Sequence, residues 1–216
     1  MKRPRRPTAA SDASAPSRTP EPAPGTVRII GGLHRGRILR SSGDPRTRPM
    51  KDRVREAVFN LIGTDVAGTH VVDLFAGTGA VGLEAISRGA RAATFFERHF
   101  PTADLIAENA KTIGVSEQCQ IIPANTLVQF RKPLPFVNPD PTAPWSVFCS
   151  PPYDLYVQQT AEMLGLVETI ANRAPAGSLI VVECDERFDT LRLPDGYHWD
   201  VREYPPARIA IWTKPV

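Results

Sequence analysis

Residues 71–85 read VVDLFAGTGAVGLEA, an apolar strand-like run that breaks into three glycines and resumes as a helix. The spacing Gly77-x-Gly79-x-x-Gly82 gives each glycine a task. The first makes a tight turn, the second lets backbone approach a ligand, and the third lets the helix pack closely on the sheet. Glu97, twenty residues after Gly77, closes the next strand-like run, ATFFE. A carboxylate at that strand end can take both hydroxyls of a ribose. A nucleoside-containing cofactor is therefore expected, against the plainer alternative of a glycine-rich turn beside a surface glutamate. Asp73 ends the first strand four residues before Gly77. It would repel a diphosphate at the helix N-terminus but suit a ligand with an ammonium and a sulfonium. S-adenosylmethionine carries both.

Outward from this loop, short apolar runs alternate with helical stretches. HVVDLF, AATFFE, CQIIP, WSVFC and SLIVVEC read as strands, separated by helices in AVGLEAISRG, TADLIAENAKTIG and YVQQTAEMLGLVETIANR, with a short helical turn in TLVQF. Strands that are apolar throughout and alternate with helices form a parallel sheet covered on both faces. The two strand-like runs of YHWDVREYPPARIAIWTK are joined too tightly for a helical crossover and must pair antiparallel. The expected fold is α/β: a Rossmann-like doubly wound sheet of seven strands, five parallel plus a closing antiparallel hairpin.

Residues 1–25 are rich in Pro, Ala and Ser and poor in large apolar side chains, so they are expected to be disordered. TVRIIGGLHRGRILRSSG alternates around Gly31-Gly32 and predicts a β-hairpin flanked by arginines. RPMKDRVREAVFNLIG places Val54, Ala57, Val58, Leu61 and Ile62 on one helical stripe, with Lys51, Arg53 and Arg55 largely off it. Three units follow: a basic tail over 1–25, a hairpin and helix over 26–63, and the sheet domain over 64–216.

The net charge of +3 hides an asymmetry. Residues 1–25 carry five basic and two acidic residues, residues 26–60 nine and three, and residues 61–216 twelve and eighteen. A cationic N-terminal module joined to an acidic body points to a polyanionic partner, the alternative being a solvated face. No apolar run reaches membrane-spanning length, and the N-terminus has no signal-peptide core. Cys119, Cys149 and Cys184 lack metal-ligand spacing and fit lone buried thiols in a reducing compartment. No metal is expected, and a cytoplasmic monomer is.

The strand VFC ends in Ser150-Pro151-Pro152-Tyr153. Two prolines remove two donors and lock two φ angles at a strand exit. This is either an ordinary loop opening or a rigid frame aimed at one small group.

Taken together, VVDLFAGTGAVGLEAISRGA, Glu97 and SPPY resemble the Rossmann-type S-adenosylmethionine-dependent methyltransferases. VRIIGGLHRGRIL and TRPMKDRVREAVFNLI narrow the resemblance to the bacterial RsmD type, over about residues 26–213. That family methylates the N2 amino group of a guanine in small-subunit (16S) ribosomal RNA. The resemblance implies that Phe75, Ala76, Gly77, Thr78 and Gly79, with Asp73 beneath them, line the methionine and ribose end. It implies that Glu97 binds the ribose, that Asn125 sits by the adenine amino group, and that Ser150, Pro151, Pro152 and Tyr153 hold the target base. It also makes Arg28, Arg35, Arg37, Arg48, Arg53 and Arg55 candidates for RNA contact. The family usually has Asp where this chain has Ser150, and Thr where it has Met50. Ser-Pro-Pro-Tyr also occurs in DNA cytosine-N4 methyltransferases, which place it before the glycine motif. A methyltransferase on another amino group and a non-catalytic RNA-binding relative stay open.

Overall fold

The computed structural model describes residues 26–41, 43, 50–131 and 143–216. The N-terminal tail, Arg48 and most of the Pro-rich stretch before WSVFC lie outside the described residues. Two short strands come first, β1 (Thr26–Arg28) and β2 (Ile38–Arg40), then α1 (Asp52–Ile62). The sheet domain follows as β3 (His70–Asp73), α2 (Ala80–Ser87), β4 (Ala92–Phe96), α3 (Phe100–Ile113), β5 (Cys119–Ile122), α4 (Thr126–Gln129) and β6 (Trp145–Cys149). It closes with α5 (Asp154–Gln158), α6 (Thr160–Arg173), β7 (Leu179–Asp185), β8 (Asp200–Tyr204) and β9 (Ala207–Thr213).

The seven-stranded sheet has the order β5-β4-β3-β6-β7-β9-β8. β3 to β7 are parallel, and β9 pairs antiparallel with both β7 and β8. Burial follows the order: every residue of β3, β6 and β7 is buried, whereas the edge strands β5 and β8 are half-buried or exposed. Alternate residues feed two cores. Phe148, Val181 and Ile209 pack on one face with α1, α2 and α3, while Val147, Val182 and Trp212 pack on the other with α6.

Three local expectations need correction. The helix expected through YVQQTAEMLGLVETIANR divides at Gln159 into α5 and α6. The Thr160 hydroxyl donates to the Tyr156 carbonyl at 2.6 Å, diverting a helix acceptor at the break. The hairpin turns through residues 29–37, held by Ile29 N to the Arg37 carbonyl at 2.9 Å and Gly36 N to the Ile29 carbonyl at 2.8 Å. The buried stripe of α1 is Val54, Arg55, Val58, Phe59 and Ile62, with Leu61 40% exposed.

Arg55 belongs to that stripe because its charge is met there. Its Nη2 donates to the Arg28 carbonyl at 2.6 Å and to Asp52 at 3.0 Å, and its Nε lies 3.8 Å from Glu84 on α2. Glu84 is fully buried and accepts from Ile30 N and Gly31 N, both at 2.7 Å, and from Arg88 Nε at 2.8 Å. The hairpin loop is thus clamped to the outer side of α2. Val27, Ile29, Leu39, Val58 and Phe59 join the same core as Val71, Leu83 and Phe95. Residue 63 marks a change of element without a break in packing.

Replacing Glu84 with Ala would leave Arg55 buried beside two unpaired amides. We expect a loss of about 3–5 kcal/mol in denaturant unfolding, with Glu84→Gln losing less. An Ala variant as stable as the parent would mean that the clamp carries no energy.

Candidate active site

The parallel strands end together. Asp73 is level with Phe95 on β4 and Phe148 on β6, Phe96 with Ile122 on β5, and Cys149 with Val182 on β7. The order reverses between β3 and β6, so the crevice above their C-terminal ends is the switch point at which open α/β sheets bind ligands. The glycine loop, Glu97, Asn125 and SPPY all start from these ends.

Gly77 and Gly79 have φ of 52° and 76°, in the left-handed region. The second glycine has a packing task as well. A Cβ on Gly79 would come within 2.8 Å of Ile106 on α3, so helix packing already requires glycine there. On Gly82 a Cβ would meet the Phe95 ring at 2.3 Å, as the helix–sheet role expects. Ala76 is buried, and its amide donates to the Phe96 carbonyl at 3.0 Å. Phe75 is half-buried against the second core. Thr78 is buried, and its hydroxyl has no partner among the described residues.

Glu97 holds the loop from the neighbouring strand. One carboxylate oxygen accepts from Gly77 N at 2.9 Å and the other from His99 N at 2.8 Å. Each oxygen keeps a lone pair for a further donor, and the residue is only half-buried. Asp73 is buried and accepts from Gly82 N at 3.1 Å. Burial pushes its carboxyl up to about 7; hydrogen bonds from Gly82 and Phe75 oppose the shift, and the Glu97 charge adds to it. Asn125 is exposed and caps α4 by accepting from Leu127 N at 3.0 Å. The Thr126 hydroxyl bonds to the Leu74 carbonyl, tying α4 to the end of β3.

At SPPY, Pro151 is buried and Pro152 exposed. The following turn is closed by the carbonyls of Pro152 and Tyr153, taking Leu155 N at 2.9 Å and Tyr156 N at 3.1 Å. The Ser150 hydroxyl is buried without a hydrogen-bond partner. Tyr153 is half-buried against the core, and its hydroxyl donates to Glu183 on β7 at 2.7 Å. Glu183 and Asn109 are site residues that no motif picks out. Asn109, on α3, accepts from Arg40 N at 2.8 Å and donates to the carbonyls of Arg40 at 3.0 Å and Thr78 at 3.1 Å. It joins the N-terminal hairpin directly to the glycine loop.

Of the arginines expected to face RNA, Arg35, Arg37 and Arg53 are exposed and Arg28 is half-buried. Arg55 is removed from that group, because its guanidinium is fully buried in the clamp and spent on Arg28, Asp52 and Glu84. Arg48 lies outside the described residues.

A groove of about 760 Å³ lies elsewhere, lined by Leu61, Tyr197 and Lys214, at the edge where β7 begins and β9 ends. It contains none of the expected site residues. Among the described residues no cluster of His, Cys, Asp and Glu could hold a metal, and no helix is long and apolar enough to cross a membrane. Cys149 and Cys184 are buried and Cys119 half-buried, all free, with burial pushing each thiol up to about 12.

A family model described as conserved hypothetical protein 95, the RsmD family, matches residues 27–207. The chain belongs to the RsmD family. It is 35% identical over 165 residues to the ribosomal RNA small subunit methyltransferase D of Haemophilus influenzae, covering 76% of this chain and 81% of the relative. It is 38% identical over 95 residues to YlbH of Bacillus subtilis, a candidate rRNA methyltransferase, covering 44% of this chain and spanning about half (52%) of that relative. The solved structure of yhhF, a candidate methyltransferase from Escherichia coli, superposes with a TM-score of 0.71 at 25% identity, over 88% of this chain and 99% of the other.

The raised Asp73 carboxyl has a consequence for stability. The folded state binds this proton more tightly than the unfolded state does. The stability this confers is fully present below the ordinary carboxylate range, and it is lost as pH rises through about 7. Denaturant unfolding should show a loss of about 2–4 kcal/mol from this group between about pH 5 and pH 8, and Asp73→Asn should flatten that slope. Parallel profiles for the two proteins would mean that Asp73 is charged in the fold.

Proposed function

We propose that this chain transfers a methyl group from S-adenosylmethionine to the exocyclic N2 amino group of a guanine in small-subunit (16S) ribosomal RNA, acting as a cytoplasmic monomer. The carrying observation is the convergence of the Gly77 turn, the Glu97 carboxylate and the SPPY exit at the strand-order reversal. The RsmD family, and a relative named for small-subunit ribosomal RNA, support the substrate class.

The site suits this cofactor. Glu97 offers lone pairs to ribose hydroxyls, and among the described residues no cation meets the buried Asp73 carboxyl below the loop, so a cationic ligand would favour its ionised form. Phe75, Ala76, Gly77, Thr78 and Gly79 would line the methionine and ribose end, with Asn125 beside the adenine. When bound, S-adenosylmethionine would supply its sulfonium methyl to the N2 lone pair, the S–C electron pair leaving with sulfur and one N2 proton passing to water.

What the chain itself contributes is orientation. An exocyclic amino group is a weak nucleophile because its lone pair is delocalised into the ring. Acceptors on its two hydrogens aim the lone pair outward, and the Pro151 carbonyl and the Ser150 oxygen would be those acceptors. The two prolines fix the angle between them. The base must enter this pocket unpaired. Arg35, Arg37 and Arg53, with Arg28 and Arg48, would hold the RNA backbone beside it.

Labelled methyl transfer to small-subunit RNA or particles, followed by nucleoside analysis, tests the assignment. N2-methylguanosine is expected. Label in a cytosine, or cofactor binding with no transfer to any nucleic acid, would overturn it. Glu97→Ala should weaken cofactor binding by one to two decades, about 1.5–3 kcal/mol by calorimetry. Charge reversal at Arg35, Arg37 and Arg53 should lower RNA affinity and flatten its dependence on salt, because fewer counterions are released.

A further inference from the structure

A glutamate is unexpected in a strand whose every residue is buried, and no described cation neutralises Glu183 there. It lies on β7, 6% exposed, with no ion pair to any described residue. Its carboxylate accepts from Tyr153 Oη at 2.7 Å. Across the sheet, β6 runs parallel beside β7 and delivers Ser150 just past its end. The Ser150 hydroxyl is buried without a hydrogen-bond partner; burial pushes the Glu183 carboxyl up, and the hydroxyls of Tyr153 and Ser150 oppose that shift. The surrounding titratable groups are Tyr153 and Tyr156 from the SPPY segment and α5, Cys184 and Asp185 on the same strand, and Arg208 on β9. Arg208 is engaged with Glu203 at 3.3 Å, and Arg187 with Asp154 and Asp185 at 2.8 and 2.7 Å.

We propose that Glu183 is a positioning residue for the transfer, holding the Tyr153 hydroxyl and offering an acceptor to the orphaned Ser150 hydroxyl, so that the Ser150 oxygen is left to accept from the target amino group. The role rests on the function proposed above and adds to it a residue outside the SPPY motif. A serine hydroxyl has one hydrogen and two lone pairs. With its hydrogen turned to Glu183, both lone pairs of the Ser150 oxygen are left to accept, and a donor bonded to an anion is itself a stronger acceptor. Negative charge thus reaches the amino group through Ser150, one bond removed. A purely structural residue here would gain from being Gln, which could still accept from Tyr153 and would bury no charge.

The test uses single-turnover transfer to RNA, with cofactor affinity measured separately on the same full-length variants. Glu183→Gln should lower the transfer rate about ten- to a hundredfold while leaving cofactor affinity within about twofold. Ser150→Asp alone should also slow transfer, because it sets two carboxylates side by side. The double variant Ser150→Asp with Glu183→Gln should recover to within about tenfold of the parent, since one charge is restored beside the amino group. A Gln variant that transfers at the parental rate, or a double variant no faster than the slower single one, would overturn the role. Should Glu183→Gln fail to fold, Tyr153→Phe removes the same hydrogen bond without touching the charge. It should slow transfer about three- to tenfold, and an unchanged rate would overturn the role equally. A parent protein that binds cofactor but methylates no RNA would instead fail the functional assignment itself.

Discussion

The N-terminal module depends on one buried carboxylate. Glu84 has no contact with solvent, and it receives two amides of the hairpin loop and the guanidinium of Arg88, with Arg55 alongside. A charge taken out of water is tolerable only when its lone pairs are filled, and here the filling groups come from three separate segments. Without the hairpin, α2 would carry a bare charge on its outer side; without α2, the loop amides and Arg55 would have no acceptor. Phe59 adds to the joint, packing on Phe148 with ring centroids 5.6 Å apart while Arg88 lies 4.8 Å above it. The cationic segment is therefore fixed to the sheet domain, and Asn109 ties its second strand to the glycine loop. Exposed Arg35, Arg37 and Arg53 are presented from a rigid base.

That rigidity bears on how an orienting site can work. Catalysis by orientation needs acceptors held to within a fraction of an ångström. Two prolines lock the exit from β6, the Tyr153 hydroxyl is anchored on β7, and Arg187 bridges Asp154 at the start of α5 to Asp185 at the end of β7. The turn carrying SPPY is thereby pinned to its neighbouring strand at two points.

Much of this was legible in the chain because local patterns agreed with the global fold. Apolar runs of the β3 and β6 kind belong in the middle of a parallel sheet, and the glycine spacing with Glu97 identified the strand ends that meet. Other features depended on partners distant in sequence. Arg55 looked like a surface charge because its periodicity fits either face of α1, and only Glu84, on another helix, decides which. The interruption at Gln159 comes from one threonine hydroxyl rather than from any helix-breaking residue. Asn109 resembles any polar residue of α3 until the hairpin is folded against it. Glu183 left a trace, an acid inside the apolar run LIVVEC, but its meaning required Ser150 and Tyr153 to arrive from across the sheet.

Three buried carboxylates show how the same residue type divides between holding the fold and serving the proposed site. Glu84 is surrounded by amides and guanidinium groups, and its environment is complete. Asp73 and Glu183 have hydrogen bonds but no cation among the described residues, and burial raises both carboxyls. Their cost is borne toward the C-terminal ends of β3 and β7, the two strands that flank β6. A structure selected for stability alone would have filled these positions with neutral residues. At Asp73, beneath the glycine loop, such a carboxyl makes sense where a positive charge is brought in from outside, as a sulfonium cofactor with an ammonium group would do, whereas Glu183 answers to the hydroxyls of the SPPY segment. The fold thus keeps its raised carboxyls on the strands that flank β6, where the proposed site would use them, and places its compensated one at the joint, so the scaffold that holds the site is not loosened.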